Sequence, residues 1–138
     1  MVFAMNRTVG PAPSIEEIER IALATLARLP AAFAAQIGDV VLQVEDFADE
    51  ETLAAVGIEN PFELTGIYEG VPLTELSIEH SGTMPPRVRL FRRAILEEWA
   101  ESGTETLEHL VAHVTIHEIG HHFGLSDADM HGLEDAVS

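Results

Sequence analysis

The 138-residue sequence contains no cysteine and no lysine. Without thiols there is neither a disulfide framework nor a thiolate metal site, so any metal must be held by His, Asp or Glu. Basic residues are scarce: seven arginines stand against 24 acidic residues, a formal net charge of −17. A surface of that sign repels DNA and RNA and argues against a nucleic-acid function. Solubility is the plainest use of the charge, and attraction for basic peptides the sharper one. Long apolar runs are missing too. Nothing approaches the roughly eighteen residues of a membrane-spanning helix, and the mildly apolar start over residues 1–6 is too short for a signal peptide. The expected location is the cytoplasm, with no membrane association.

What remains is ordinary: 46% hydrophobic and 22% charged residues, a composition that folds. Residues 1–138 are read as a single domain, with 1–13 a loose lead-in ending in Gly10-Pro11-Ala12-Pro13. Ser14 followed by Glu17 is a capping box, so a helix is expected from 15 to about 28, and Pro30 opens a short turn to Gly38. The β-branched stretch 40–44 is a strand. A short helix capped by Asp49 falls within 46–57, a glycine-bounded strand at 65–70, a long connection at 71–86 and a third strand at 88–92. Helices are expected at 94–101, 104–123 (the longest, ended by Gly124) and 127–136. Helices at both ends with strands between indicate an α+β domain, a small three- or four-stranded sheet packed on an N-terminal helix and one long helix.

Chemistry is concentrated in His117-Glu118-Ile119-Gly120-His121-His122-Phe123-Gly124-Leu125-Ser126-Asp127. Four residues turn a helix by about 400°, so His117 and His121 sit about 40° apart around the axis and about 6 Å along it, and both imidazoles can meet one ion. Glu118 lies about 60° from His121, beside the pair, where it can reach a water without binding the metal. Gly124 can take positive φ and let the chain reverse, bringing Asp127 back as third ligand; Asp129, His131 and Glu134 compete for that place. Two imidazoles and a carboxylate leave a fourth tetrahedral position for water, and Glu118 is placed as the general base. His-Glu-x-x-His alone arises by chance in on the order of a few per cent of such chains, and the glycine and aspartate lower this by roughly two orders of magnitude. One zinc ion is the expected cofactor, although iron or manganese suits the same ligands.

Other residues have two readings each. Tyr68, the only tyrosine, is a candidate oxyanion donor or a structural residue. His113 is a candidate cleft wall or support for the metal ligands, His109 a solvated residue, His122 a hydrogen-bonded structural one, and Met130 either an apolar floor beneath the metal or ordinary packing. Arg87, Arg89, Arg92 and Arg93 are expected to pair with neighbouring carboxylates, the alternative being a grip on a substrate carboxylate.

The motif His117-Glu118-x-x-His121-x-x-Gly124-x-x-Asp127 resembles the zincin metallopeptidases in the form where aspartate replaces a third histidine. With Gly66-Ile67-Tyr68-Glu69-Gly70-Val71-Pro72 and Pro86-Arg87-Val88-Arg89-Leu90-Phe91-Arg92-Arg93 upstream, the chain is similar to the small bacterial minimal zincins over roughly residues 15–135. The resemblance implies a reduced zincin fold with an edge strand along which an extended peptide can lie, zinc on His117, His121 and Asp127, and catalysis by Glu118. Larger relatives carry a separate downstream Met-turn; here eleven residues follow Asp127. The expected function is a zinc-dependent peptidase acting on a peptide or protein substrate. The rival readings are a non-catalytic zinc- or peptide-binding module on the same scaffold and hydrolysis of a non-peptide amide. Oligomeric state has no signature in the sequence.

Overall fold

The computed structural model describes residues 11–71 and 85–137, without the Asp127 side chain. The elements follow as α1 (Ile15–Ala27), α2 (Ala31–Ala34), β1 (Val41–Glu45), α3 (Glu50–Val56), a 3-10 turn (Pro61–Glu63), β2 (Gly66–Glu69), β3 (Arg87–Phe91), α4 (Arg92–Ser102), α5 (Leu107–Phe123) and α6 (Asp127–Val137). The fold is α+β, as the pattern of elements indicated.

Caps set most of the helix boundaries. The Ser14 hydroxyl accepts from the Glu17 N–H at the start of α1, and the Asp49 carboxylate from the Thr52 N–H at the start of α3, each satisfying an orphan donor of a first turn. The longest helix begins three residues later than its apolar pattern suggested. Gly103, at φ 71°, ends α4 in a left-handed turn, Ser102 Oγ accepts from the Glu105 N–H, and the Thr106 hydroxyl then caps α5. The strands are displaced by about one residue from the expected 40–44 and 88–92. Most of the expected 71–86 connection and of the 1–13 lead-in lies outside the described residues.

Among the described residues the sheet has three strands in the order β1-β3-β2. β3 is central, parallel to β1 with Val44 opposite Leu90, and antiparallel to β2 with Tyr68 opposite Val88. Alternation along β3 divides the molecule. Val88 and Leu90 turn to one face, where they join Val44, Ile18 and Ala22 of α1, and Leu110, Val111, Val114, Ile116 and Ile119 of α5. Phe91 turns to the other, against Ala48, Leu64 and Ala94.

That second face also holds a charge network. Arg89, 5% exposed, lies between the outer strands: its guanidinium donates to Glu45 on β1, Glu69 on β2 and Thr52 on α3. Arg87 donates to Glu69 and Gln43, and Arg92 pairs with Asp46. The hydrogen bonds and charge of Glu45, with help from Glu69, hold the Arg89 guanidinium still more firmly in its charged form. Arg93 lies over the Phe47 ring instead, so three of the four clustered arginines meet the carboxylates expected for them. No described helix is long and apolar enough to cross a membrane.

Removing a buried partner leaves its counter-charges stranded, a loss of about 3–5 kcal/mol when all members are fully buried. Glu45 and Glu69 are partly open to solvent, so Arg89→Ala is expected to lower the urea-unfolding free energy by about 2–3 kcal/mol. A loss within the roughly 0.5 kcal/mol typical of surface substitutions would show that the network does not hold the strands together.

Candidate metal centre

Helix α5 is buried on most of its circumference: Leu110, Val111, Val114, Thr115, Ile116, Glu118, Ile119, Gly120, His122 and Phe123 are all covered. His113, His117 and His121 occupy its open stripe. The His117 and His121 ring centres are 5.1 Å apart with their planes nearly perpendicular. A zinc-bound imidazole has its ring centre about 3.2 Å from the ion, so two on a tetrahedral centre stand about 5 Å apart. The observed spacing fits that geometry.

Glu118 stands beside them, its Oε1 4.0 Å from His121 Nε2. Unlike the histidines it is turned inward and only 9% exposed. Burial pushes its carboxyl up to about 7, with the Tyr68 backbone N–H pulling the other way. The source of that N–H is the pairing of β2. Thr65 accepts from the Phe91 N–H, so the alternation of an antiparallel pair directs the backbone groups of Gly66 and Tyr68 away from β3. Close approach of β2 to α5 requires glycine at position 66: a Cβ there would lie 2.9 Å from Val114 Cγ1 and 3.2 Å from Glu118 Cγ.

After Phe123 the chain reverses as expected. Gly124 has φ 70°, its N–H donates to the His121 carbonyl, and the Leu125 N–H donates to the Gly120 carbonyl, the paired bonds of a Schellman ending. Ser126 then caps α6, its hydroxyl accepting from the Asp129 N–H. Asp127 is therefore the first residue of α6, immediately beyond the turn from His121; its side chain is outside the described set. Among the described residues no three His, Asp or Glu side chains gather into a metal-holding group, so the described part of the centre is the histidine pair with Glu118.

The remaining candidates fall as follows. The Tyr68 hydroxyl is engaged by His122 Nδ1 at 2.9 Å and the Val71 carbonyl at 3.3 Å. His122 Nε2 meets the Gln36 carbonyl, which only accepts, so Nε2 is the donor in that contact. His122 is thus a buried structural residue linking α5 to β2 and the end of α2. His109 pairs at the surface with Glu105. His113 Nδ1 contacts Glu134 Oε1 across 21 residues of chain. His131 and Glu134 line a cleft of about 300 Å³ with His113, His117 and Met130; a second, of about 160 Å³, runs on the other side past Thr65, Glu98, His117 and Glu118. Met130 packs on Gly120, where a Cβ would come within 2.8 Å of its Cγ. The lone glycine inside a strong helical pattern was the sequence signal for that contact.

A family model described as zincin-like metallopeptidase matches residues 37–137. The chain belongs to that family. No curated protein matches it.

The environment of Glu118 has a consequence for the metal-free fold. Its carboxyl is raised from 4.5 to about 7 on folding, so the folded state prefers the protonated form. The benefit is complete below pH 4.5 and lost as pH rises to about 7, at most about 3 kcal/mol. In chelator-treated protein Glu118→Gln should gain stability over wild type progressively across that window. Parallel stability curves would mean that Glu118 is solvated in the folded protein.

Proposed function

We propose that the chain is a zinc-dependent peptidase with one ion on His117, His121 and Asp127 and with Glu118 as general base. The observation that carries this reading is the inward-turned, desolvated Glu118 beside two imidazoles at the spacing of a shared tetrahedral ion. When bound, zinc supplies a Lewis acid that acidifies a water and polarises a carbonyl.

The chain's own groups do the rest. His117 and His121 are presented on the open stripe of α5, and the turn at Gly124 starts α6 next to them. In the metal-free chain burial raises the Glu118 carboxyl, which makes it a stronger base than a solvated glutamate. Its carboxylate oxygen would take a proton from the attacking water and return it to the leaving amine. The outward-directed backbone of β2 gives an extended peptide a strand to lie along. The clefts on either side of His117 leave room for the flanking residues of the peptide. Net charge −17 favours basic peptides over acidic ones.

The test is a peptide-library digest with zinc-loaded protein. Glu118→Gln is expected to lose about 10²–10⁴-fold in turnover while retaining the metal. His117→Ala is expected to lose the metal itself. Equal cleavage by wild type and Glu118→Gln on every substrate would remove the peptidase reading; tight zinc binding with no turnover would leave a binding module.

A further inference from the structure

Outside the histidine pair, a contact between His113 Nδ1 and Glu134 Oε1 joins α5 to α6. It lies at the surface, with the His113 side chain about half exposed. Such a pair ordinarily adds little to global stability, and the docking of α6 does not need it for that purpose. Met130 in its glycine socket, together with buried Leu133 and Val137, already attaches the helix to the core, and Arg28 donates to the Val137 carbonyl.

Its position in the helices suggests a different job. α5 and α6 form a tight hairpin joined only by residues 124–126. Seven residues make about two helical turns, so Glu134 and Asp127 lie on the same face of α6. On α5, His113 is one turn before His117 and two before His121. The contact therefore ties the face of α6 that starts with Asp127 to the stripe of α5 that carries both imidazoles. Two apolar residues and a methionine fix how deeply α6 is buried. The polar contact at the open side adds a restraint on its rotation about its own axis, and that rotation sets where the first residue of α6 stands relative to α5.

We infer that His113 and Glu134 are positioning residues of the metal centre, acting through the pose of α6 on Asp127. This rests on the ligand set proposed above. The test reads zinc affinity by chelator competition on the full chain, with no need for a substrate. His113→Ala and Glu134→Gln are each expected to weaken zinc roughly tenfold, the size seen when the groups that orient metal ligands are removed. Their combination should lose less than the sum of the two single variants, since the contact between them is already broken in either. In an Asp127→Ala background His113→Ala should have no further effect. Melting temperatures of the chelator-treated variants should stay within about 2 °C of wild type.

Unchanged affinity in His113→Ala, with Asp127→Ala weakened, overturns the inference and leaves the ligand set standing. Asp127→Ala without effect overturns both. A loss in His113→Ala as large as in His117→Ala would make His113 a ligand, and an equal loss in Glu108→Gln, which removes a carboxylate from the neighbouring cleft wall, would reduce the effect to charge; either result overturns the positioning role.

Discussion

Everything at this site depends on one helix being buried nearly all round while leaving a single stripe open. α5 crosses the core with apolar residues on successive turns, and the stripe that remains passes through His113, His117 and His121. A helix with a broad polar face would display its histidines among solvated neighbours. Here they are rooted in a packed interior that restricts the backbone carrying them. The same burial creates the contrast on which the chemistry turns. One residue step moves a side chain by about 100°, enough to take Glu118 from the open stripe into the apolar wall, where its carboxyl rises to about 7.

Two missing side chains bring the flanking elements close enough to matter. At Gly66 the backbone of β2 comes against Val114 and Glu118, and at Gly120 Met130 of α6 settles onto α5. The first brings the β2 backbone beside Glu118, where the Tyr68 N–H meets its carboxyl; the second docks the helix that begins with Asp127. Neither glycine needs positive φ. Their role is proximity, and it places a strand on one side of the histidine pair and a helix on the other without lengthening the chain.

Much of this was legible in local sequence. His117-Glu118-x-x-His121 with Gly124 and Asp127 located the centre, Ser14 and Asp49 located helix starts, and Gly124 predicted the reversal, because helical periodicity and capping act over a few residues. What could not be read depends on residues far apart in the chain. β3, last of the strands, lies in the middle of the sheet, a consequence of pairing energies that no single segment encodes. Arg89 was read as one of four arginines near carboxylates; only the sheet order shows it clamped between Glu45 and Glu69. Tyr68 drew notice as the sole tyrosine. Its backbone N–H, opposing the rise of Glu118, is a product of strand register. The misplaced start of α5 has a local cause that was overlooked: Gly103 and two hydroxyl caps at Ser102 and Thr106 interrupt an otherwise continuous apolar pattern.

The charge distribution completes the connection between fold and site. Arg87, Arg89 and Arg92 are consumed by carboxylates, two of them on the sheet face away from α5, while Arg28 is tied to a helix end and Arg93 to an aromatic ring. Most of the described arginines are therefore already engaged, and the chain's −17 acts largely outward. A field of that sign raises the local concentration of divalent cations and basic peptide segments, and salt screens it over about 10 Å. The acidic composition and the histidine stripe thus act in the same direction. The stripe offers imidazole nitrogens, and the surrounding carboxylates favour the arrival of a cation there.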